Sequence, residues 1–405
     1  MAALIYPHLF CFSYHRYPVN QAQGHPTWGK WQKDHEALQV SGQSDYYQDK
    51  DWEAIYGERD LGDTMGLLLY GAVREEEKPQ PLEVLEKLKG HLAGIEGSIG
   101  QSWLVITRWR QQIREETEEQ VFQEILKLWN VEGERLETGR LVGNSFCSTV
   151  LPSGEHLLVI LAPDRETMLG FSDFYYELQR LFYYEHKVRW SYEQSRKIKA
   201  LLSQEAFFPL TSEVIPPSQI DLTTSQAVRG NFQELRRLLY DNMQKLDRHT
   251  RGIEGLSLQL QTLKTNLKAY QRRFERLQRL TADARYIQPS DLKLWADFGD
   301  SQGMIYQEQI QQDIESLSPG LRVREQHIKT LQVIVDAARG ERDSRVENLI
   351  GAAGVGIGVS SAAAGAWSGQ TSRPLYTFGL SLGLGLALGL VSYLVLCWVR
   401  GNPRE

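Results

Sequence analysis

A repeat of apolar residues between Phe232 and Leu277 limits the possible folds of this chain more than any other sequence feature. The spacings alternate between three and four residues over about six and a half heptads, which is the pattern of a coiled-coil seam. At 1.5 Å per residue, the repeat predicts a helix about 70 Å long. The central members of the seam are Leu239, Asn242, Leu246, His249, Ile253, Leu256, Leu260, Leu263 and Leu267.

Two further helical stretches follow the seam and extend the predicted coiled-coil rod over residues 227–345. The seam breaks around Pro289, the second stretch covers Leu292–Leu317, and a turn is predicted at Ser318–Gly320 before the third stretch. Heptads support association between chains as well as packing within one chain, so the sequence leaves both alternatives open.

Two positions of the seam are polar. Asn242 lies on the seam, where an asparagine often sets the register or the number of chains. His249 is compatible with a pH-sensitive or metal-binding position, and also with a tolerated polar packing position. We favour packing, because a lone histidine on a seam has no companion ligand.

The seam helix also carries a strong positive charge. Residues 229–285 contain 13 lysines and arginines against 6 acidic residues, whereas residues 1–130 contain 13 against 20. Three interpretations are open: contact with anionic lipid, docking of the acidic region of the same or another chain, or an ordinary solvated face. The predicted basic patch consists of Lys264, Lys268, Arg272, Arg273, Arg276 and Arg279.

The chain before the rod is predicted to form an α+β domain on the cytoplasmic side of a membrane. Apolar runs rich in β-formers alternate with helical patterns, whereas Val19–Gly62 predicts a long loop or short elements. The strand candidates are Leu4–Tyr14, Met65–Val73, Trp103–Trp109 and Leu157–Leu161, and the helix candidates are Pro81–Ile95 and Glu115–Trp129. The predicted domains are an α/β head over residues 1–165, a helical connector over 166–208 and a linker over 209–226.

The C-terminal residues predict two transmembrane helices, over 346–369 and 374–400. The second has no charged residue between Leu375 and Val399, while the first is rich in glycine, alanine and serine. Small residues let membrane helices approach closely, so glycines are predicted to form packing surfaces. These are Gly354, Gly358, Gly379, Gly383, Gly385 and Gly389. The short link and the distribution of arginines place both termini in the cytoplasm, which makes the lipid bilayer a partner.

No catalytic or cofactor-binding motif is present. The sequence contains no P-loop, no dinucleotide fingerprint, no HExxH and no GxSxG, and its three cysteines are far apart. The first residues lack the pattern of a signal peptide. We therefore expect no enzyme activity, no cofactor, no bound metal and no nucleic acid partner, and a net charge of −6 agrees with the last of these.

The order of elements resembles that of the CorA-type divalent cation channels. Those have a cytoplasmic α/β domain, long helices and two C-terminal spans, and their signature is Gly-Met-Asn at the end of the first span. Here the corresponding place reads AWSGQTS, over Ala366–Ser372, and lacks the signature. Polar residues there are candidates for a pore entrance, namely Gln370, Thr371 and Ser372.

Two functions follow from these observations. The first is a homo-oligomeric interaction, scaffold or sensor module in a membrane, with a possible cytoplasmic protein partner. The alternative, implied by the resemblance, is a CorA-like divalent cation channel or transporter with a non-standard entrance.

Overall fold

We analysed a computed structural model of the chain, which describes residues 4–16, 30–31, 33–41, 45–92, 96–109, 117–131, 136–204, 225–283 and 290–339. The chain divides into two compact units. The first unit comprises Met1–Arg196 and Leu258–Gln311, and the second comprises Lys197–Ser257 and Gln312–Glu405. The long helices therefore contribute segments to each unit.

The first unit is built around a mixed sheet, in which nine strands lie within the described residues. The strands are β1 (Leu4–Arg16), β2 (Tyr46–Gln48), β3 (Trp52–Asp60), β4 (Thr64–Val73), β5 (Pro79–Gln80), β6 (Gly100–Trp109), β7 (Glu137–Leu141), β8 (Asn144–Val150) and β9 (His156–Ala162). Their order is β2-β3-β4-β1-β6-β9-β8-β7, with β5 paired to the start of β1. The pair β6–β9 is parallel and the other pairs are antiparallel.

Seven helical segments accompany the sheet in the described part of the chain. They are α1 (Glu83–Leu92), α2 (Glu118–Lys127), α3 (Arg165–Gly170), α4 (Ser172–Gln204), α5 (Ser225–Thr281), α6 (Lys293–Asp297) and α7 (Gly303–Arg339). A π-helical turn, Phe298–Gln302, connects α6 to α7, and a short 3-10 helix lies at Glu36–Leu38. The predicted α/β region and long helices are thereby confirmed.

Side chains alternate between the two faces of the sheet along each strand, and helices bury the apolar side chains on both faces. On one face, Leu9 and Val105 pack in the apolar core shared with Leu88 of α1 and Ile125 of α2. On the other face, α4 packs against β1, where the ring of Phe12 lies 6.4 Å from that of Phe182. A strand that is covered on both sides needs no polar positions. This explains why every residue of β9 is buried.

The predicted irregular stretch Val19–Gly62 in fact contains β2 and β3. In β3, Trp52, Ala54 and Tyr56 are buried, and the residues between them are exposed or half-buried. Glu53, Gly57 and Glu58 lowered the apparent β character of this segment, so the prediction of a loop or short elements missed the nine-residue strand β3.

The β3–β4 hairpin is fixed to α4 by charged side chains. Lys187 is almost fully buried, and its Nζ lies 2.6 Å from Asp63 Oδ1 and 2.5 Å from Oδ2. Tyr183 also donates a hydrogen bond to the same carboxylate. These contacts hold the end of β3, and therefore Arg59, close to α4.

All nine central seam residues are buried or half-buried within a single chain. In the second unit, Leu235 and Leu239 pack against Leu331 and Val335 of α7. In the first unit, a Cβ added to Gly303 would lie 2.5 Å from Leu267, so a larger residue there would require the Leu267 side chain to move. Intramolecular packing therefore accounts for the heptads, and self-association through the rod stays a prediction.

The predicted turn at Ser318–Gly320 is absent, because α7 continues through Pro319. Ser318 Oγ donates a hydrogen bond to the carbonyl of Ile314, and His249 Nε2 lies 3.2 Å from the carbonyl oxygen of Leu317. The helix thus continues through Pro319 although proline has no N–H to donate.

The prediction of an integral membrane protein with two transmembrane helices is corrected. Among the residues that the structure describes, no helix has both the length and the apolar character needed to cross a bilayer. The fold is therefore an N-terminal α/β sheet domain with long helices. The predicted spans over 346–369 and 374–400, their glycines and the entrance residues lie outside the described residues.

Candidate functional site

Four cations of α5 form an exposed surface, which we call the basic surface: Lys264, Lys268, Arg272 and Arg279. At 3.6 residues per turn they occupy about a quarter of the helix circumference. They face outward because the neighbouring seam residues are buried against the chain. Among the described residues, none of the four forms an ion pair, although Glu275 lies on the same side of the helix.

The other two members of the predicted patch turn towards α4. Arg273 Nη1 lies 3.4 Å from Glu177 Oε2, and Arg276 Nε lies 3.0 Å from Glu177 Oε1. The carboxylate of Glu177 is buried, since the residue is only 5% exposed. One buried carboxylate shared by two guanidinium groups ties α5 to α4 inside the first unit.

A cleft of about 540 Å³ opens beside this ion pair. Its charged and aromatic lining consists of Arg59, Asp173, Tyr176, Glu177, Arg180 and Arg276. The β3 strand supplies Arg59, α4 supplies the four middle residues, and α5 supplies Arg276.

Two arginines of the cleft present their guanidinium groups without a carboxylate partner. The Arg59 guanidinium carbon lies 4.6 Å from the centre of the Tyr176 ring, and this ring is about half exposed. Arg180 is half-buried, and no hydrogen bond or ion pair joins it to another described residue. Leaving a cation partly desolvated and unpaired costs free energy. The two side chains therefore provide donors for an anion.

Sequence reasoning found only part of this site. The excess of positive charge on α5 pointed to Arg273 and Arg276, and to all of the basic surface. It missed Arg59, Tyr176 and Arg180, because single arginines in a strand and in an amphipathic helix carry no local signal. Only the packing of α4 between β3 and α5 brings these distant positions together.

A second group of titratable side chains lies buried between the sheet and α4. Arg189 Nη2 lies 2.8 Å from Glu185 Oε1. His186 Nε2 and Ser102 Oγ are 2.8 Å apart, as are His156 Nε2 and Ser148 Oγ. A neutral imidazole nitrogen accepts a hydrogen bond from a serine hydroxyl. All these partners belong to the interior, so we assign the group to stability.

Stability should fall on acidification because of these histidines. Burial lowers the pKa of His186 to about 3, although Glu185 acts in the opposite direction, and burial also lowers the pKa of His156. The unfolded chain takes up a proton near pH 6.5, whereas the folded chain does not until the pH is much lower. Stability is therefore complete above pH 6.5 and declines below it.

We expect His186 alone to remove about 2 kcal/mol from the free energy of unfolding between pH 7 and pH 5. Urea unfolding at both pH values measures this change. The H186Q variant should show a smaller decrease, because glutamine takes up no proton in the unfolded chain. An equal decrease in the variant and the natural chain would contradict this assignment.

The polar seam residues pack within the chain. Asn242 Nδ2 donates a hydrogen bond to the carbonyl of Leu238 at 2.9 Å, and His249 reaches α7. In the part of the chain that the structure describes, no three His, Cys, Asp or Glu side chains are grouped so as to hold a metal ion.

Comparison with known protein families, with curated proteins and with solved structures found no match. The function must therefore be inferred from the basic surface and the cleft themselves. Lysine and arginine side chains at these places donate hydrogen bonds to carboxylate or phosphate oxygens. Recognition of anions is thus the chemistry that the arrangement provides.

Proposed function

We propose that the protein is an interaction module whose basic surface binds an acidic segment of a partner protein. The observation that carries this proposal is the set of four exposed cations on one side of α5 that form no ion pair among the described residues. They extend over about 22 Å of helix. An extended acidic segment of about seven residues has the same length.

The charge of the whole chain favours a protein partner over a nucleic acid. The sequence carries a net charge of −6, which repels a long polyanion, whereas a short acidic segment contacts the basic surface alone. The channel alternative depends on transmembrane helices that find no support in the described part of the chain.

A titration with a fluorescent ten-residue glutamate-rich peptide tests this function. We expect binding that weakens between 50 and 200 mM salt. Replacing Lys264, Lys268, Arg272 and Arg279 by glutamine should lower the affinity roughly 30-fold, since each exposed charge pair contributes about 0.5 kcal/mol. Glutamine has nearly the same helix propensity as lysine and arginine, so α5 should stay intact.

The control variant replaces Lys33, Lys50, Lys87 and Lys127 by glutamine, which removes the same charge from exposed positions elsewhere in the first unit. It should bind the peptide within twofold of the natural chain. An equal loss in both variants would show a general charge effect and contradict the proposal. Tighter binding of a ten-nucleotide single strand than of the peptide would also contradict it.

A further inference from the structure

We propose that the cleft between β3, α4 and α5 binds the phosphate group of a small phosphate monoester. This site does not depend on the acidic partner proposed above, because none of the four residues of the basic surface lines the cleft. The phosphate would accept hydrogen bonds from Arg180, Arg59 and Arg276.

Arg180 provides the strongest reason for an anion. Its side chain is half-buried beside the cleft and has no partner among the described residues. A guanidinium group has five N–H donors in a plane, and these match two oxygens of a phosphate. The site is therefore built around a cation that the protein itself leaves unpaired.

Arg59 is oriented for the same ligand. Its guanidinium group lies over the ring of Tyr176, which holds the group in place without using its N–H donors. Arg276 contacts Glu177 through Nε, and its side chain is 58% exposed, so it remains accessible from the cleft. Three arginines from three elements thus converge on one cleft.

The charges and the volume match a phosphate monoester. Four arginines at the cleft carry positive charge, and two carboxylates carry negative charge. The arginines are Arg59, Arg180, Arg276 and the neighbouring Arg273, and the carboxylates are Asp173 and Glu177. The resulting excess of two positive charges equals the charge of a phosphate monoester above its second pKa of about 6. A volume of about 540 Å³ is typical of sites for small organic ligands, so there is room for a group attached to the phosphate.

Glu177 competes with the ligand for two of the arginines. Its carboxylate already accepts a hydrogen bond from Arg273 and forms an ion pair with Arg276, and its negative charge lies at the wall of the cleft. Replacing this carboxylate by an amide of the same shape removes the competing charge. The E177Q variant should therefore bind phosphate more tightly than the natural chain, in contrast to variants that remove an arginine.

Isothermal titration of the full chain with phenyl phosphate tests the site. At pH 7.5 we expect R180Q to weaken binding at least tenfold, and E177Q to strengthen it about threefold. R140Q is the matched control, because Arg140 is exposed on β7 in the same unit and lies outside the cleft; it should leave the affinity unchanged. The thermal midpoint of each variant shows whether it is folded.

Three results would overturn the proposal. The first is the absence of binding by the natural chain at 10 mM phenyl phosphate. The second is an equal loss in R180Q and R140Q, and the third is weaker binding by E177Q. The variant that neutralises the basic surface separates the two proposals: it should keep its affinity for phenyl phosphate while losing the acidic peptide.

Discussion

Replacing Glu185 by glutamine should lower the free energy of unfolding by about 3 kcal/mol at pH 7. Glu185 is 7% exposed and accepts from Arg189 Nε at 3.1 Å and from Nη2 at 2.8 Å. Burial raises the pKa of this carboxyl, but the neighbouring charges, of which Arg189 is the largest, outweigh burial and hold the pKa below its usual value. The substitution leaves the Arg189 guanidinium group, whose side chain is 29% exposed, without its counter-charge.

A double-mutant cycle measured by urea unfolding separates the charge from the packing. The E185Q/R189M variant should recover at least half of the loss, because methionine removes the unpaired charge and packs near Phe298, whose ring lies 5.0 Å from the guanidinium carbon. E193Q changes an exposed glutamate of the same helix and should stay within about 0.5 kcal/mol of the natural chain. An E185Q variant as stable as E193Q would contradict this account.

Replacing Trp295 by alanine should lower the free energy of unfolding by about 4 kcal/mol. The side chain is 1% exposed, and its ring lies 5.3 Å from the ring of Phe146 on β8. Its backbone carbonyl accepts a hydrogen bond from the Tyr270 hydroxyl of α5 at 2.8 Å. Trp295 therefore joins α6 to both the sheet and the seam helix, and its removal opens a large cavity at their junction.

Two companion variants measure how much of this loss comes from the cavity. Y270F removes only the hydrogen bond to the Trp295 carbonyl and should cost about 1 kcal/mol. L258A shortens an apolar side chain of α5 that is 61% exposed, and it should change stability by less than about 0.5 kcal/mol. If W295A unfolds with the same midpoint as Y270F, the ring does not hold the junction together.

Local patterns predicted much of the fold. The largely apolar run Trp103–Trp109 lies within β6, in which residues 101–108 are all buried. The helical pattern Glu115–Trp129 contains α2, whose start is set by a capping box between Thr117 and Gln120. In both cases the signal that predicted the element, an apolar run or a capping box, lies within a few neighbouring positions.

Non-local contacts explain what the sequence patterns missed. β3 contains Glu53, Gly57, Glu58 and Asp60, which are unfavourable in strands, and pairing of β3 along β4 makes it a strand despite this composition. A proline and a glycine after Ser318 predicted a turn, but α7 continues through both residues. The membrane prediction rested on hydropathy, small residues and the distribution of arginines, and no helix among the described residues is long and apolar enough to cross a bilayer.

The candidate site also has one part that the sequence predicted and one part that only the structure shows. Charge counting along α5 was sufficient to find the basic surface, because its four cations belong to one helix and share one side of it. The cleft was beyond such reasoning: Arg59, Arg180 and Arg276 are separated by about a hundred residues each, and nothing in their neighbours marks them. Tertiary packing alone decides which cations pair with Glu177 and which stay unpaired.

The periodicity of apolar residues established by itself that this chain forms strands first and then long helices, and that one face of α5 is buried. Periodicity reflects the geometry of a single element, so it indicates a buried face without naming what covers that face. The tertiary structure shows the partners: α7 and α6 cover the seam, and Glu177 of α4 pairs with Arg273 and Arg276. Contacts between distant residues depend on the arrangement of all elements together, and for that reason no local pattern encodes them.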